Sequence, residues 1–238
     1  MPKAKLLSPQ DFVKLAISED SFRQLLNSAL HEGDILVGTD THRLHVVSEF
    51  TNTENKTLLH LGKHCDLNGN PDKYPNWKRV VPETCEAELQ VKVESFREFC
   101  LQVSKYIKAD KKSQNRVNFV YDIENKAISF LVVNELGKAE FQYDPTFTAY
   151  PAWFSFDNEL KELDKYKECK FIIFAINIFY LLDGLQVAEQ GTVKLKFTHL
   201  NKYYGSKPNA MTFTRPITIT SDKTNYKSVI MPMQIDKE

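Results

Sequence analysis

His60, His64 and Cys65 stand close together in the string HLGKHC. On a helix the two histidines would share a face at four-residue spacing, as zinc ligands do. The surrounding TLLHLG reads as a strand, Gly62 argues against a helix, and no fourth ligand follows, so no metal site is expected. Asp40, His42 and Arg43 in TDTHRL have the residue types of an acid–base cluster. No serine or cysteine stands in a G-x-S-x-G elbow, and an aspartate in a short D-x-H string ordinarily closes a turn through its own side chain. Glycine is scarce, with eight in the chain, and neither G-x-G-x-x-G nor the P-loop pattern occurs. The absence of both patterns disfavours the common nucleotide cradles, and no catalytic residue or cofactor is assigned.

Charge is the next chemistry to consider. Between Lys92 and Arg116 lie Lys92, Arg97, Lys105, Lys108, Lys111, Lys112 and Arg116, against Glu94, Glu98 and Asp110. Arg97, Lys105 and Lys108 fall within one sector of a predicted helix, away from Phe96 and Phe99. Such a face is either solvated surface or a track for nucleic-acid phosphates that reads no bases. The whole chain carries 31 basic and 31 acidic residues, so placement of charge decides between these, not its total.

The elements that position these residues follow from pattern. A chain of 238 residues, 42% hydrophobic and 26% charged, has the composition of a globular protein with one large domain or two ordinary ones. The apolar run from Phe171 to Leu185 is interrupted by Asn177 and Asp183 and is shorter than the roughly 20 residues of a membrane span. The start MPKAKLLSPQDF has no secretory pattern, and the four cysteines form no C-x-x-C pair. A reducing cytoplasm and no membrane are expected.

Ser8, Pro9 and Asp11 predict a capped short helix. DILVGTDTHRLHVVSEF predicts two strands about a tight turn, and TLLHLG another strand. DLNGNPDKYPN must be irregular, and WKRVVPETCE reads as an interdomain linker. In the second half Ser95 and Glu98 have the spacing of a capping box, and Phe96, Phe99, Val103 and Ile107 repeat at helical intervals. RVNFVYDI, AISFLVV and KAEFQYD predict strands, KFIIFAI a buried strand, and NIFYLLDGL a helix capped by Asn177. TVKLKFTHL, AMTFTR, ITITSD and SVIMPMQI predict closing strands. The expected class is α+β with antiparallel sheets.

Four strings, in order, carry a further signal: TDTHRL (Thr39 to Leu44), YPNWKRVVP (Tyr74 to Pro82), NIFYLLDGL (Asn177 to Leu185) and VIMPMQI (Val229 to Ile235). Together they resemble the bacterial DNA polymerase III beta subunit, the replicative sliding clamp. That family shows a T-D-G-H-R-L turn, an F-P-D-Y-R-R-V-L-P linker, an N-x-x-Y-L-x-D-x-L helix and a terminal V-M-P-M-R-L. The resemblance implies clamp-type domains, with antiparallel sheets outside and helices on the inner face. It implies residues 1–82 as a shortened domain, similar to the family's middle one, with its linker, and residues 83–238 as the last clamp domain. RQLLNSAL aligns with a family strand and is expected to be one.

By the same resemblance the protein is a non-catalytic processivity factor. Its partners would be duplex DNA, DNA polymerase and other proteins bearing a clamp-binding motif, and a clamp loader, with the chain acting as a homo-oligomer. A peptide groove would be built from Leu26, Thr39, Thr41, His42, Arg43, Leu44, Pro75, Arg79, Val80, Val229, Met231, Pro232 and Met233. Flexible, polarizable methionines suit a site that accepts varied peptides. Arg43 and Arg79 would hold peptide carbonyls or carboxylates at its rim. Arg23, Gln24, Arg97, Lys105, Lys108, Lys111 and Lys112 would meet DNA.

The chain also departs from the pattern. Thr41 stands at the family's turn glycine, and Gln234 at an arginine. Family clamps have three domains, and a second helix with its strands is missing before Tyr74. An aromatic insertion, residues 145–169, holds Phe147, Tyr150, Trp153, Phe154 and Phe156. It could cover a sheet edge, fill a subunit interface or pack on its own domain. Two readings follow: a ring assembled from several copies, or a monomeric clamp-derived peptide binder.

Overall fold

The computed structural model describes residues 5–51, 53–85, 87–108, 115–122, 124–125, 127–134, 137–143, 154–156, 170–198, 200–203, 210–213 and 215–235. The first element, α1 (Pro9–Lys14), starts as its sequence dictates. The Ser8 hydroxyl accepts from the Asp11 N–H at 3.1 Å and donates to the Asp11 carboxylate at 2.7 Å. The string RQLLNSAL is a strand only in its second half. Gln24–Asn27 is a 3-10 turn, and β1 begins after it (Ser28–Glu32). The Asn27 amide holds that turn by donating to the Asp20 and Arg23 carbonyls, which leaves the backbone before Ser28 unable to extend.

Strands β2 (Ile35–Thr39) and β3 (Arg43–Val47) flank the tight turn, and β4 (Thr57–His60) pairs with β1. After two 3-10 turns, Pro71–Lys73 and Trp77–Arg79, β5 (Ala87–Lys92) runs straight into α2 (Val93–Lys108). The Ser95 capping box is therefore not formed. Helix α2 opens two residues earlier, where the Val93 N–H already donates to the Gly191 carbonyl, and the Ser95 hydroxyl lies 2.8 Å from that of Tyr143. Next come β6 (Arg116–Asp122), β7 (Ala127–Asn134), β8 (Gly137–Tyr143) and β9 (Phe154–Phe156). Strand β10 (Phe171–Asn177) leads into α3 (Ile178–Gly184). The Asn177 side chain caps α3 as expected, accepting from the Phe179 and Tyr180 N–H groups. Strands β11 (Thr192–Phe197), β12 (Leu200–Tyr203), β13 (Ala210–Phe213), β14 (Ile217–Ser221) and β15 (Tyr226–Ile230) complete the series.

Among the described residues these strands form two sheets. One has nine strands in the order β4, β1, β2, β3, β15, β14, β11, β5, β9, and the other six in the order β12, β13, β10, β6, β7, β8. The class is α+β, as expected, with one exception to antiparallel pairing: β10 and β13 run parallel. Strand β12, which no sequence pattern marks, lies outside β13 as the edge. Apart from Phe154–Phe156, which pairs with β5, the aromatic insertion lies outside the described residues.

Helices α2 and α3 pack on each other and reach both sheets, α2 through β5, β7 and β8, and α3 through β10 and β15. A hydrophobic cluster joins them to α1 and the first strands. Phe12, Ala29, Leu36 and Val47 share it with Phe96, Phe99, Val103, Ile107, Phe174, Leu181 and Ile230. The nine-stranded sheet and this cluster thus run without a break across residue 82.

His45 is the one ionisable side chain on β3 that is wholly buried, and it stacks on Phe12 with ring centroids 4.3 Å apart. Its Nδ1 donates to the Phe12 carbonyl at 2.8 Å, while Nε2 has no partner. Burial drives its pKa from 6.5 down to about 3; the Phe12 carbonyl raises it, and nearby Arg43 lowers it further. The folded state therefore holds His45 neutral where the unfolded chain takes up a proton, so stability present above pH 6.5 falls as pH drops toward 3. Moving from neutral pH to one unit below the unfolded value should remove on the order of 1 kcal/mol through this group. Urea denaturation at the two pH values measures it. His45→Gln, which keeps a donor for the Phe12 carbonyl, should flatten that part of the pH dependence.

Candidate peptide-binding groove

The turn between β2 and β3 is built by Asp40. Its Oδ1 accepts from the His42 and Arg43 N–H groups at 2.9 and 3.0 Å, the structural role expected of an aspartate there. Thr39 Oγ1 accepts from the Thr41 N–H and donates to the Arg43 carbonyl. Thr41 takes φ +80°, the conformation a glycine would adopt freely. A β-branched residue holds it because its neighbours over-determine the turn, and Arg23 Nη1 donates to the Thr41 hydroxyl at 3.0 Å and to the Asp40 carbonyl at 3.3 Å.

Strand β15 lies beside β3 with Val229 opposite Leu44 and Ile230 opposite Arg43. The next residue continues the contact, since the Met231 N–H donates to the His42 carbonyl at 2.9 Å. Two residues on, the Met233 N–H donates to the Ala175 carbonyl at 2.8 Å, and Arg116 holds the Gln234 carbonyl. Ile235 packs on Val120, Ile173 and Ala210. The apolar end of the sequence is thus tied to both sheets.

Beneath the turn, Leu26, Leu44 and Val229 are buried with Leu30, Val37, Val46 and Tyr74, and Trp77 and Val81 pack against them. Thr39 is also buried. Thr41, His42, Pro75 and Arg79 are exposed, and Pro232 and Met233 are half-buried. Val80 and Met231 are 44% and 38% exposed, high for side chains of their size. Both line a cleft of about 510 Å³ together with Lys78, Arg79, Val81, Arg215 and Pro216. The buried members of the expected groove therefore form a packed support, and Arg79, Val80 and Met231 reach open space.

Arg43 is engaged inside the protein. Its guanidinium donates to Asp40 Oδ2 at 3.1 Å and to the Asp183 carboxylate, and it lies 4.3 Å from the centre of the Tyr180 ring. His42 stacks on the same ring. Burial pushes the Asp183 carboxyl above its ordinary value, and Arg43 pulls it back. Tyr180 and Asp183 belong to the NIFYLLDGL string, yet nothing in that string shows that they reach the turn at residues 39–43. Nor does any pattern mark Lys78 or Arg215.

Of the residues expected at DNA, Arg97 is placed otherwise. It is buried, and Nη2 donates to the Leu185 and Ala188 carbonyls at 2.8 and 2.7 Å. The end of the helical sector at Arg97 is covered by the residues after α3, and there the guanidinium satisfies carbonyls at a helix end. Lys105 and Lys108 remain exposed, with Lys108 Nζ 4.9 Å from the centre of the Phe179 ring. Arg23 and Gln24 are exposed beside the turn, and Lys111 and Lys112 lie outside the described residues. His60 Nδ1 pairs with the Ser28 hydroxyl at 3.1 Å, and the Cys65 thiol donates to the Asn27 carbonyl.

Two sheets packed on a shared pair of helices, with an open cleft where the last strand ends, are the arrangement of a DNA-clamp fold. Solved structures of the DNA polymerase III beta subunit share it. The protein from Thermotoga maritima matches over 95% of this chain and 63% of its own, with a TM-score of 0.64 at 17% identity. The sliding clamp of Bacillus subtilis matches over 99% and 67%, with a TM-score of 0.64 at 17% identity. The Borrelia burgdorferi subunit, in complex with a natural product, matches over 99% and 66%, with a TM-score of 0.66 at 16% identity. No family model and no curated protein matches the sequence. The chain has the sliding-clamp fold, and it spans about two thirds of the length of these clamps.

Because Thr41 occupies a positive φ, Thr41→Gly should relieve strain worth on the order of 1 kcal/mol and raise the melting temperature. A fall, read by calorimetry, would mean that the Arg23 contact to its hydroxyl outweighs the strain.

Proposed function

We propose that the protein is a sliding-clamp-type processivity factor. Several copies close into a ring around duplex DNA, and each tethers a DNA polymerase or repair protein through the groove at the end of β15. The observation that carries this reading is the exposed pair Val80 and Met231, from the YPNWKRVVP and VIMPMQI strings, in a cleft of about 510 Å³ on a clamp fold. In this reading residues 1–82 are a shortened middle-type clamp domain and residues 83–238 the last one. The chain would work in the cytoplasm, placed on DNA by a loader.

Its occupant is a short peptide bearing a clamp-binding motif. Leu26, Leu44 and Val229 support the floor, and Val80, Met231, Pro232 and Met233 make apolar contact. Thr41, His42, Pro75 and Arg79 form the rim. In this reading the role is non-catalytic, and the site works by shape and apolar contact. DNA would be met by Arg23, Gln24, Lys105, Lys108, Lys111 and Lys112 through phosphates alone, which permits sliding.

Titration of a labelled clamp-binding-motif peptide tests the groove. Met231→Ala should weaken binding about tenfold, in line with loss of a buried side-chain contact at an anchor. Unchanged affinity would remove Met231 from the site. The ring is tested by light scattering over a range of concentrations, where a monomer throughout would rule it out. In the same protein, Lys105→Glu with Lys108→Glu should make the dependence of log K on log salt shallower by about 2 for duplex DNA.

A further inference from the structure

The second half of the chain is built from one pattern used twice. Helix α2 is followed by β6, β7 and β8, and α3 by β11, β14 and β15. Each helix is preceded by a strand that crosses to the other unit, since β5 pairs with β11 and β10 with β6. Such reciprocal crossing is what an approximate twofold axis between the units produces. The units cover one another. Phe197 on β11 lies 5.4 Å from Phe174 on β10, ring centre to ring centre, and Leu89, Val193 and Leu195 are at most 1% exposed.

The first half of the chain holds one such unit. Helix α1 is followed by β1, β2 and β3 and packs on β2 and β3. Strand β4 stands beside β1 in the place that β5 takes beside β11. Among the described residues of 5–82, α1 is the one α-helix, so the unit has no second helix-led unit opposite it there. Its inner face shows the consequence. Leu59, opposite Ala29 on β1, packs on the main core together with Leu61 and Phe50, yet all three are only half-buried. The matching positions on β5 and β11 are closed.

We propose that a second copy of this chain covers the inner face of β1 and β4, with its own first unit standing where the other half of the domain would stand. This rests on the assembly of copies in the reading above and adds the place where they meet; it needs neither DNA nor the groove. The chain itself supplies the reason for this occupant. Its last domain shows a unit of this pattern closed by another of the same pattern, and a second copy brings that pattern with the same apolar margin. A twofold contact is isologous, so Phe50, Leu59 and Leu61 are each buried twice against the same set. Two copies joined in this way hold two last domains and one domain completed from two halves. That is the three-domain content that the resemblance gives to a single family chain.

Hydrogen exchange on the full chain, at low and at high concentration, reads this face directly. Amides of residues 50–61 should exchange more slowly at high concentration, where light scattering should find species with an even number of copies. Leu61→Glu puts a charge into both halves of the contact and should raise the dissociation constant about a hundredfold. Phe50→Lys should act in the same direction, and melting curves at low concentration confirm that each variant is folded. Slow exchange of residues 50–61 at every concentration would mean that the chain covers this face itself. Protection confined to β8, or assembly that both folded variants leave intact, would put the contact elsewhere. Any of these results overturns the proposal and leaves the ring reading standing. A dimer that Leu61→Glu dissolves, with no larger species, supports the proposal and removes the ring. A monomer at all concentrations overturns both.

Discussion

The pairing of β3 with β15 is the constraint on which the rest of the structure depends. It joins residues 43–47 to residues 226–230, nearly opposite ends of the chain. Closing so long a loop costs entropy, though the cost grows only slowly with length. The pairing offsets it by burying Leu44, Val46 and Val47 on one strand and Tyr226, Val229 and Ile230 on the other. Without it the sheet would separate into a meander of β1 to β4 and the remaining strands. With it, Met231 is delivered to the His42 carbonyl, and its side chain lines a cleft together with Arg79 and Val80.

Electrostatics then determine which groups in that site are free. Arg43 is held between two carboxylates and against an aromatic face, where desolvation by α3 strengthens each contact. Such an arginine orients the turn and has little capacity left for a ligand. Arg79 ends the 3-10 turn Trp77–Arg79 and Arg215 lies just before β14, both at the cleft margin and neither ion-paired with a described residue. Burial therefore sorts side chains of one type into a structural and a solvent-facing set.

The same sorting divides α2. Arg97, Lys105 and Lys108 share a helical sector, but α3 and its following turn cover only part of it. Where helix-end carbonyls lack partners, a guanidinium supplies donors and is buried. Where no backbone approaches, the lysines stay in water. One helix face thus holds a structural cation at one end and solvent-facing cations at the other.

Much of this was legible in sequence. Local rules determined the Ser8 and Asn177 caps, the Asp40 turn and most strands, because capping, turn closure and burial periodicity act over a few residues. The four ordered strings pointed to the fold through their resemblance to the beta-subunit family, and the solved clamps share that fold. Tertiary structure alone decided what depends on distant partners. These features are the burial of Arg97 under the residues after α3, the capture of Arg43 by Asp183, the start of α2 set by Gly191, and the parallel pairing of β10 with β13. It also brought Arg215 beside Arg79. A side chain's charge is written in the sequence, but whether that charge is spent internally depends on which chain segment folds over it.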